Sequence, residues 1–340
     1  MVALFKITNA VTQQQFECAP DDTIVRAALR AGLGIPYECN VGSCGTCKVE
    51  LLEGEVIANW PDAPALTERD VSRRRVLGCQ SRPTSDCTIK ARFDEQYRSA
   101  ILPQRFSAVL TESRNLTHDI REFRFQLDAP VSFLPGQYAL LHFPGLNGCR
   151  AYSMSNIPDG GTSWHFQIKK VPGGSATGAL FDQVKVGQRV ALDGPYGLAY
   201  LRVDSPRDIV CIAGGSGLAP MVSIARGVAA NPAMVSRKLH FFFGGRGPRD
   251  ICGEDMLRAL PGFEERFFFH SIISMPEANA AQEWPGKVGF VHEMVAEVMS
   301  DTLAQHEIYF AGPPAMAQAV QQMLLEKAVP KEQVHYDAFY

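Results

Sequence analysis

Three cysteines fall within nine residues of this chain, in the stretch CNVGSCGTC at positions 39 to 47, and a fourth follows in LGCQS. Cys39, Cys44 and Cys47 have the spacing C-x4-C-x2-C, and Cys79 lies 32 residues beyond them. The two glycines between the cysteines let the backbone fold closely around a bound centre. The pattern therefore predicts a metal-binding loop, which constrains the first part of the chain more than any other feature.

This spacing is typical of plant-type [2Fe-2S] centres, with all four cysteines as ligands. Two other interpretations stay open from the residues alone. A structural zinc site usually has two short ligand pairs, whereas Cys79 stands by itself. A redox dithiol would need only Cys44 and Cys47. The remaining cysteines have no ligand spacing and are predicted to be small buried side chains: Cys18, Cys87, Cys149, Cys211 and Cys252.

The hydrophobic pattern changes twice along the 340 residues. Residues 1–97 begin with a predicted hairpin and an apolar helix, and the stretch YRSAILPQ that follows is a predicted linker. Residues 105–203 alternate apolar and polar positions between Pro and Gly turns, which predicts a small antiparallel barrel. In residues 204–340 apolar strands alternate with helical stretches, which predicts a parallel sheet flanked by helices.

Two motifs in the second part suit a cofactor that carries phosphate. RAYSMSN can present a guanidinium, an aromatic ring and a hydroxyl from one strand, and VPGGSATGAL places a glycine-rich turn at a predicted helix start. Alone, the first motif is more typical of a core tyrosine beside a surface arginine. Together the motifs favour a binding site. The candidate residues are Arg150, Tyr152, Ser153, Lys169, Gly174 and Thr177.

Two glycine-containing turns in the third part each join an apolar strand to a helix. They are GGSGLAP and AGPPAM, and turns at the ends of parallel strands converge on one crevice. Neither is the G-x-G-x-x-G fingerprint, so each turn alone is also typical of an ordinary connection. The residues predicted to bind a nucleotide are Gly214, Gly215, Gly217, Pro220, Gly312, Pro313 and Met316.

The first part resembles plant-type ferredoxins through PYECNVGSCGTCKVELLEGE, and the other two parts resemble the ferredoxin-NADP reductase superfamily. The first resemblance implies that Cys39 and Cys44 hold one iron and that Cys47 and Cys79 hold the other. The second implies FAD, bound by R-x-Y-S and G-x-x-S-x-x-L elements. It places Arg150 on the pyrophosphate, Tyr152 and Ser153 at the ring system, and Gly174 with Thr177 around the phosphates.

The third part is similar to the pyridine-nucleotide domain of the same superfamily, with Ala311 in place of the usual cysteine. The resemblance implies that a terminal aromatic residue shields the flavin or nicotinamide. We assign Phe339 that role, with Tyr336 and Tyr340 as alternatives. Ser153, Tyr152 and Phe339 are thus the candidate catalytic residues. NADH is favoured over NADPH, because Pro276 and Glu277 replace the Ser and Arg of NADP-using relatives, although Arg246 and Arg249 leave room for a phosphate.

This order of parts resembles the reductase components of bacterial multicomponent oxygenases. The resemblance implies an oxidoreductase that passes electrons from NADH to FAD, to the [2Fe-2S] centre and to a hydroxylase, directly or through a separate ferredoxin. LLEGEVIANWPDAPAL resembles toluene monooxygenase reductases, which favours a di-iron partner in aromatic hydrocarbon catabolism over a Rieske dioxygenase. Acidic residues near the loop would steer a basic partner or form an ordinary solvated face: Glu38, Glu50, Glu53 and Glu55.

Other classes of function fit the sequence less well. A zinc-stabilised, diaphorase-like flavoprotein, a free-standing electron carrier and a deoxysugar reductase partner remain as alternatives. The formal net charge of -3 gives no basic patch for nucleic acid. The apolar runs are strand-sized and the start of the chain is not a signal peptide, so we expect a cytoplasmic protein without a membrane span. The histidines are predicted to have surface or packing roles, including His118, His165 and His335.

Overall fold

The structure, a computed structural model, describes residues 3–143, 145–146, 148–158, 160–276 and 284–338. Three main β-sheets follow one another along the chain, and each of the three predicted parts supplies one of them. The first is a mixed sheet, the second is antiparallel and the third is parallel. The predicted fold class is therefore confirmed, whereas the exact domain boundaries stay predictions.

The first sheet holds the cysteine loop against a single helix. Its strand order is β2-β1-β7-β3-β5, and β4 pairs with β6 in a separate ribbon. Helix α1 (Ile24–Arg30) starts after the extended residue Thr23 and buries nearly its whole surface. The strands are β1 (Phe5–Asn9), β2 (Gln15–Cys18), β3 (Lys48–Glu53), β4 (Val56–Ala58), β5 (Arg75–Leu77), β6 (Ser81–Pro83) and β7 (Cys87–Lys90). A short helix, α2 (Glu68–Ser72), precedes β5 and begins with a capping box.

The second sheet is a six-stranded antiparallel barrel with the order β11-β10-β13-β8-β9-β12. A bridge between Met154 and Phe166 links the two end strands and closes it. Alternate residues point into a core of Phe and Leu side chains around Trp164. The elements are β8 (Gln104–Asn115), β9 (Ile120–Leu127), β10 (Tyr138–His142), β11 (Arg150–Ser153), β12 (Ser163–Lys169), α3 (Ser175–Gly178) and β13 (Arg189–Tyr196).

The third sheet is parallel, with the order β17-β16-β15-β14-β18-β19 and helices on both faces. Consecutive residues of the central strand face different cores: Cys211 packs with the helix that follows it, and Ile212 packs with two later helices. This explains why the strand is apolar at every position. The elements are β14 (Ile209–Gly214), α4 (Leu218–Ala230), β15 (Leu239–Gly245), α5 (Glu254–Arg258), β16 (Phe267–Ile273), β17 (Lys287–Val288), α6 (Val291–Met299), β18 (Glu307–Gly312), α7 (Pro314–Glu326) and β19 (Val334–Ala338).

The first sheet and the barrel share a buried interface. The core of the first part extends onto Tyr138 and Tyr196 of the barrel. Arg30 of α1 pairs with Asp193 of β13 at 2.7 Å, and the backbone N–H of Gly197 donates to the Tyr37 hydroxyl at 3.1 Å. These contacts fix the cysteine loop beside strands β10 and β11. Among the described helices, none has the length and apolar character needed to cross a membrane.

Candidate functional site

The four candidate ligand cysteines come together in the structure as two pairs. The Sγ atoms of Cys47 and Cys79 lie 3.2 Å apart, and the backbone N–H of Cys44 donates to Sγ of Cys39 at 3.4 Å. A hydrogen bond from the Cys44 side chain lowers the pKa of the Cys39 thiol to about 6. The same hydrogen bond, together with burial, raises the pKa of the Cys44 thiol, so within this pair only Cys39 is predisposed to the thiolate form that binds metal. The pairs are the same two that the ferredoxin resemblance assigns to separate irons.

The spacing of the thiols suits a two-iron centre better than a single zinc ion. Four sulfurs around one tetrahedral zinc lie roughly 3.8 Å apart, given Zn–S bonds of about 2.3 Å. Within the described residues, His118, Asp119 and Asp250 are the only group of three potential ligands with all atoms within 4.8 Å of one another. The cysteines therefore do not converge on one point. A centre with two irons and two bridging sulfides accommodates this wider arrangement.

An exposed tryptophan covers the cysteine loop. Gly42 has a φ of +98°, and a Cβ at this position would lie 3.2 Å from the Trp60 ring and 3.1 Å from the Gln80 side chain. Only glycine fits such a conformation under a packed ring. Trp60 is 43% exposed. Its sequence position indicates no individual role, because its contact with the loop depends on the turn that follows strand β4.

A cavity of about 420 Å³ lies between the barrel and the cysteine loop. Its floor comes from strand β11 and its far wall from the turn before α3, so the two motifs of the second part meet here. Glu38 and Cys39 form the wall on the side of the loop. All six candidate cofactor residues of the second part line this cavity: Arg150, Tyr152, Ser153, Lys169, Gly174 and Thr177.

The cavity presents groups that suit FAD. The hydroxyl of Ser153 is buried without a hydrogen-bond partner, which is costly unless a ligand supplies one. Burial raises the pKa of Tyr152 to about 12, so its ring stays neutral. The hydroxyl of Thr177 accepts a hydrogen bond from the Val171 N–H at 3.1 Å and holds the glycine-rich turn in shape. Thr177, which stands where the G-x-x-S-x-x-L element has serine, thus retains a structural hydroxyl.

A buried carboxyl in the same cavity was missed by the sequence analysis. Asp337 of β19 lines the cavity, and its Oδ2 is buried without a partner. Burial, and then the charge of Glu38, raise the pKa of Asp337 to about 7. The only sequence signal was an acidic residue in the aromatic terminus HYDAFY. Nothing in that stretch shows that the last strand reaches the cysteine loop.

The raised pKa of Asp337 predicts a pH-dependent stability. Below pH 4 the carboxyl is protonated in both folded and unfolded protein, and between pH 4 and 7 only the unfolded chain releases the proton, so the native protein loses stability. We expect Asp337→Asn to stabilise the flavin-free protein by about 1–2 kcal/mol above pH 7, less than the full shift because cavity water screens the charge. Thermal unfolding from pH 4 to 8 measures this.

The matched control is Asp128→Asn at an exposed position. Arg189 lowers the pKa of Asp128, so the stability that this carboxylate contributes is already complete above pH 4, and Asp128→Asn should lower the melting temperature by an amount that stays constant from pH 4 to 8. A melting-temperature difference between Asp337→Asn and the unmodified protein that is constant across the pH range would contradict the assignment.

A second cavity, of about 430 Å³, lies at the carboxyl ends of strands β14 and β18. Lys169 and Ser216 line both cavities, so the two spaces adjoin. The carboxyl ends of strands on either side of a sheet's centre are where α/β proteins bind nucleotides. Four of the predicted residues line the second cavity directly: Gly214, Gly215, Pro313 and Met316.

The other three predicted residues shape the loops. A Cβ on Gly217 would collide with the carbonyl of Ala311, and one on Gly312 would collide with the Met316 side chain. The collision with the Ala311 carbonyl shows that the first turn packs against the end of β18 and needs glycine at Gly217, whereas the flexible Met316 side chain can move aside. Pro220 is buried in the first turn of α4, as the sequence predicted, where its missing N–H costs no hydrogen bond.

Charged residues close the second cavity on the barrel side. Lys169 pairs with Asp119 at 3.1 Å, and Arg246 lies 3.6 Å from both Asp119 and Asp250. His118 also faces the two carboxylates. The surrounding cations neutralise this acidic pair, so its geometry does not favour a metal ion. His118 thus lies beside Asp250, which lines the nucleotide cavity, and His118 is not itself among the lining residues.

The end of the chain and the specificity loop are described only in part. Tyr336 stacks on Phe310 with ring centroids 4.7 Å apart, which is a packing role. Phe339 and Tyr340 lie outside the described residues, as does Glu277. Pro276 is described and follows Ser274, which lines the nucleotide cavity together with Arg246.

Three family models match successive parts of the chain. The model for the 2Fe-2S iron-sulfur cluster binding domain matches residues 7–84. The oxidoreductase FAD-binding domain matches residues 107–200. The oxidoreductase NAD-binding domain matches residues 211–322. The predicted [2Fe-2S] centre, FAD and nicotinamide nucleotide are confirmed, the preference for NADH over NADPH stays a prediction, and the 2Fe-2S match disfavours the zinc interpretation.

Similar proteins extend over nearly the whole chain. The ferredoxin–NAD(P)+ reductase CarAd of Metapseudomonas resinovorans is 39% identical over 332 residues, covering 95% of this chain and 96% of its own. The ferredoxin–NAD+ reductase component of the alkene monooxygenase system of Xanthobacter autotrophicus is 36% identical, covering 96% and 98%. A solved structure, the ferredoxin reductase in carbazole 1,9a-dioxygenase, has a TM-score of 0.91 at 36% identity and 99% coverage of both chains. The chain therefore belongs to the family of ferredoxin–NAD(P)+ reductases that supply multicomponent oxygenases and that unite a 2Fe-2S domain with FAD-binding and NAD-binding domains.

Proposed function

We propose that this chain is the NADH-dependent reductase of a di-iron monooxygenase system that oxidises an aromatic hydrocarbon or an alkene. This is a finer assignment than family membership, because relatives belong to both monooxygenase and dioxygenase systems. The proposal places the three domains at residues 1–97, 105–203 and 204–340. It includes a cytoplasmic location, where NADH and reduced thiols are both at hand.

The observation that carries the proposal is that the nucleotide cavity, the flavin cavity and the cysteine loop adjoin one another in that order. The nucleotide cavity adjoins the flavin cavity at Lys169 and Ser216. The flavin cavity in turn ends at Glu38 and Cys39, next to the predicted iron ligands. When bound, FAD accepts an electron pair from the nucleotide and releases single electrons, which a [2Fe-2S] centre carries onward.

The chain's own residues bind and orient the cofactors in this arrangement. Arg150 neutralises the FAD pyrophosphate, and Ser153 offers its hydroxyl to the redox edge of the flavin ring. Tyr152 supplies an aromatic face against that ring. Lys169, between the cavities, keeps a fixed positive charge near both ligands and is held in place by Asp119.

The start of the cysteine loop, at Glu38 and Cys39, lines the flavin cavity. Glu38 lines the flavin cavity and accepts a hydrogen bond from the Thr46 hydroxyl at 3.2 Å. It is thus not part of an outer acidic face. Glu53 and Glu55 are exposed and remain available to steer a basic partner. Trp60, which is exposed above the loop, is a natural contact for that partner.

Reconstitution with purified hydroxylases tests the function. The holoprotein, with FAD and iron-sulfur centre, is mixed with NADH and either a di-iron hydroxylase with toluene or propene, or a Rieske dioxygenase with its aromatic substrate. We expect product only with the di-iron hydroxylase. We also expect NADH to exceed NADPH in kcat/KM by about tenfold, equivalent to about 1.4 kcal/mol.

The outcomes separate the finer assignments. If product formed only with the Rieske dioxygenase, with or without that system's own ferredoxin, the chain would be assigned to the dioxygenase systems. Equal kcat/KM values for NADH and NADPH would contradict the NADH preference. They would not change the assignment of the hydroxylase partner. Heat-treated hydroxylase serves as the control for uncoupled NADH oxidation.

A further inference from the structure

A buried arginine lies behind the cysteine loop. Arg26 of helix α1 is 5% exposed. Its guanidinium donates to the backbone oxygen of Asn40 at 3.1 Å and to the Asn40 side-chain oxygen at 3.3 Å. It also donates to Sγ of Cys149 at 3.1 Å. Asn40 directly follows the predicted ligand Cys39. The guanidinium is therefore hydrogen-bonded to the loop next to its first ligand.

The charge of Arg26 has no carboxylate partner at contact distance. Over the described part of the chain, no Asp or Glu oxygen lies within 4 Å of its guanidinium, whereas Arg30, one turn later, pairs with Asp22 and Asp193. An isolated charge in a protein interior is strongly destabilising unless an opposite charge compensates it. The neutral oxygen and sulfur acceptors around Arg26 satisfy its N–H groups, and the more distant Asp193 carboxylate, which is itself paired with Arg30, compensates its charge only in part.

The ligand thiolates of Cys39, Cys44 and Cys47 lie on the loop that Arg26 contacts through its two hydrogen bonds to Asn40. Four thiolates with two irons and two sulfides carry net negative charge, which grows by one when an electron is accepted. A fixed positive charge at this place therefore stabilises the reduced centre more than the oxidised one.

We infer that Arg26 is a positioning residue that compensates the charge of the iron-sulfur centre, makes the centre easier to reduce and ties its loop to the flavin barrel. The link to the barrel is the hydrogen bond from Arg26 to Cys149. Cys149 directly precedes Arg150, the residue proposed to bind the FAD pyrophosphate. One guanidinium thus contacts the segments that carry both redox groups. This inference rests on the assignment of the four cysteines to a [2Fe-2S] centre.

A redox titration of purified variants tests the inference. The holoprotein is titrated anaerobically while the EPR signal of the reduced centre and the flavin absorbance are recorded together. For Arg26→Gln we expect the ratio of reduced to oxidised centre at the wild-type midpoint to fall at least tenfold, equal to about 59 mV for a one-electron couple. Arg26→Lys, which keeps the charge, should recover most of the ratio.

Arg92→Gln is the matched control, because the Arg92 side chain in the same part of the chain is 89% exposed and water and salt screen its charge. Its ratio is expected to stay within about twofold of wild type. Iron and acid-labile sulfide are measured first in every variant. Absence of both from the wild-type protein would end the cofactor assignment itself, whereas a fully loaded Arg26→Gln with an unchanged midpoint would overturn the role of Arg26 alone.

A second variant keeps the inference falsifiable if Arg26→Gln does not fold. Asn40 has a φ of +56°, a conformation that aspartate tolerates, and its side-chain N–H group has no partner to lose. Asn40→Asp places a carboxylate against the guanidinium and neutralises it in place. We expect the same direction of change as for Arg26→Gln, and an unchanged midpoint in Asn40→Asp would also overturn the inference.

Discussion

Replacing Cys79 by serine is expected to abolish the iron-sulfur signal while NADH still bleaches the flavin. Cys79 is fully buried and its Sγ lies 3.2 Å from that of Cys47. Serine is nearly the same size, so the fold is retained, but its hydroxyl does not supply the thiolate that an iron-sulfur centre needs. We expect electron delivery to cytochrome c to fall by at least about 100-fold, roughly 2.7 kcal/mol or more. Ferricyanide, which accepts directly from flavin, should be reduced at the normal rate.

Cys87→Ser is the control for this experiment. Cys87 is buried in the same part of the chain, and its thiol contacts the backbone oxygens of Glu55 and Ser85 instead of another cysteine. It should therefore keep its iron and sulfide. If Cys79→Ser also lost flavin reduction by NADH, the two redox sites would not be separable. That result would contradict the modular path from nucleotide to flavin to metal.

The sequence was most informative where chemistry demands a fixed local pattern. The cysteine spacing predicts the metal-binding loop because the segment that carries three of the four cysteines is continuous, and their division into two pairs comes from the ferredoxin resemblance. The RAYS strand is likewise local, so Arg150, Tyr152 and Ser153 could be placed together before the fold was known. The alternation of strands and helices predicts the three sheets for the same reason.

Features that depend on contacts between distant segments could not be predicted. Asp337 and Glu38 are about 300 residues apart in sequence, and they share a cavity only because the last strand ends beside the first domain. Gly217 was predicted as part of a phosphate loop, yet its requirement for glycine comes from the carbonyl of Ala311. Arg26 was read as one residue of an apolar helix, because its place behind the loop depends on the packing of that helix.

The second large effect is expected from Ser153→Ala, in the flavin cavity. Ser153 is 5% exposed and its hydroxyl has no hydrogen-bond partner in the protein. A hydroxyl with this exposure and no partner is positioned for a ligand, and the proposed partner is the redox edge of the flavin ring. Loss of one such hydrogen bond is expected to slow flavin reduction by NADH by about 10- to 100-fold, or about 1.4–2.7 kcal/mol. Stopped-flow absorbance of the flavin measures the rate, and the spectrum of the iron-sulfur centre should not change.

Ser155→Ala distinguishes loss of a ligand contact from loss of structure. Ser155 is fully buried two residues later, and its hydroxyl donates to the His165 backbone oxygen at 3.2 Å. Removing this satisfied bond should lower the unfolding free energy by about 1 kcal/mol and leave the flavin reduction rate unchanged. Ser153→Ala should do the reverse in flavin-free protein, because deleting an unpartnered buried hydroxyl removes a desolvation cost. A normal rate of flavin reduction in Ser153→Ala would exclude Ser153 from the site, whatever its effect on stability. A slower rate in a variant that is equally or more stable when flavin-free would be explained only by a contact that the hydroxyl makes with the bound cofactor.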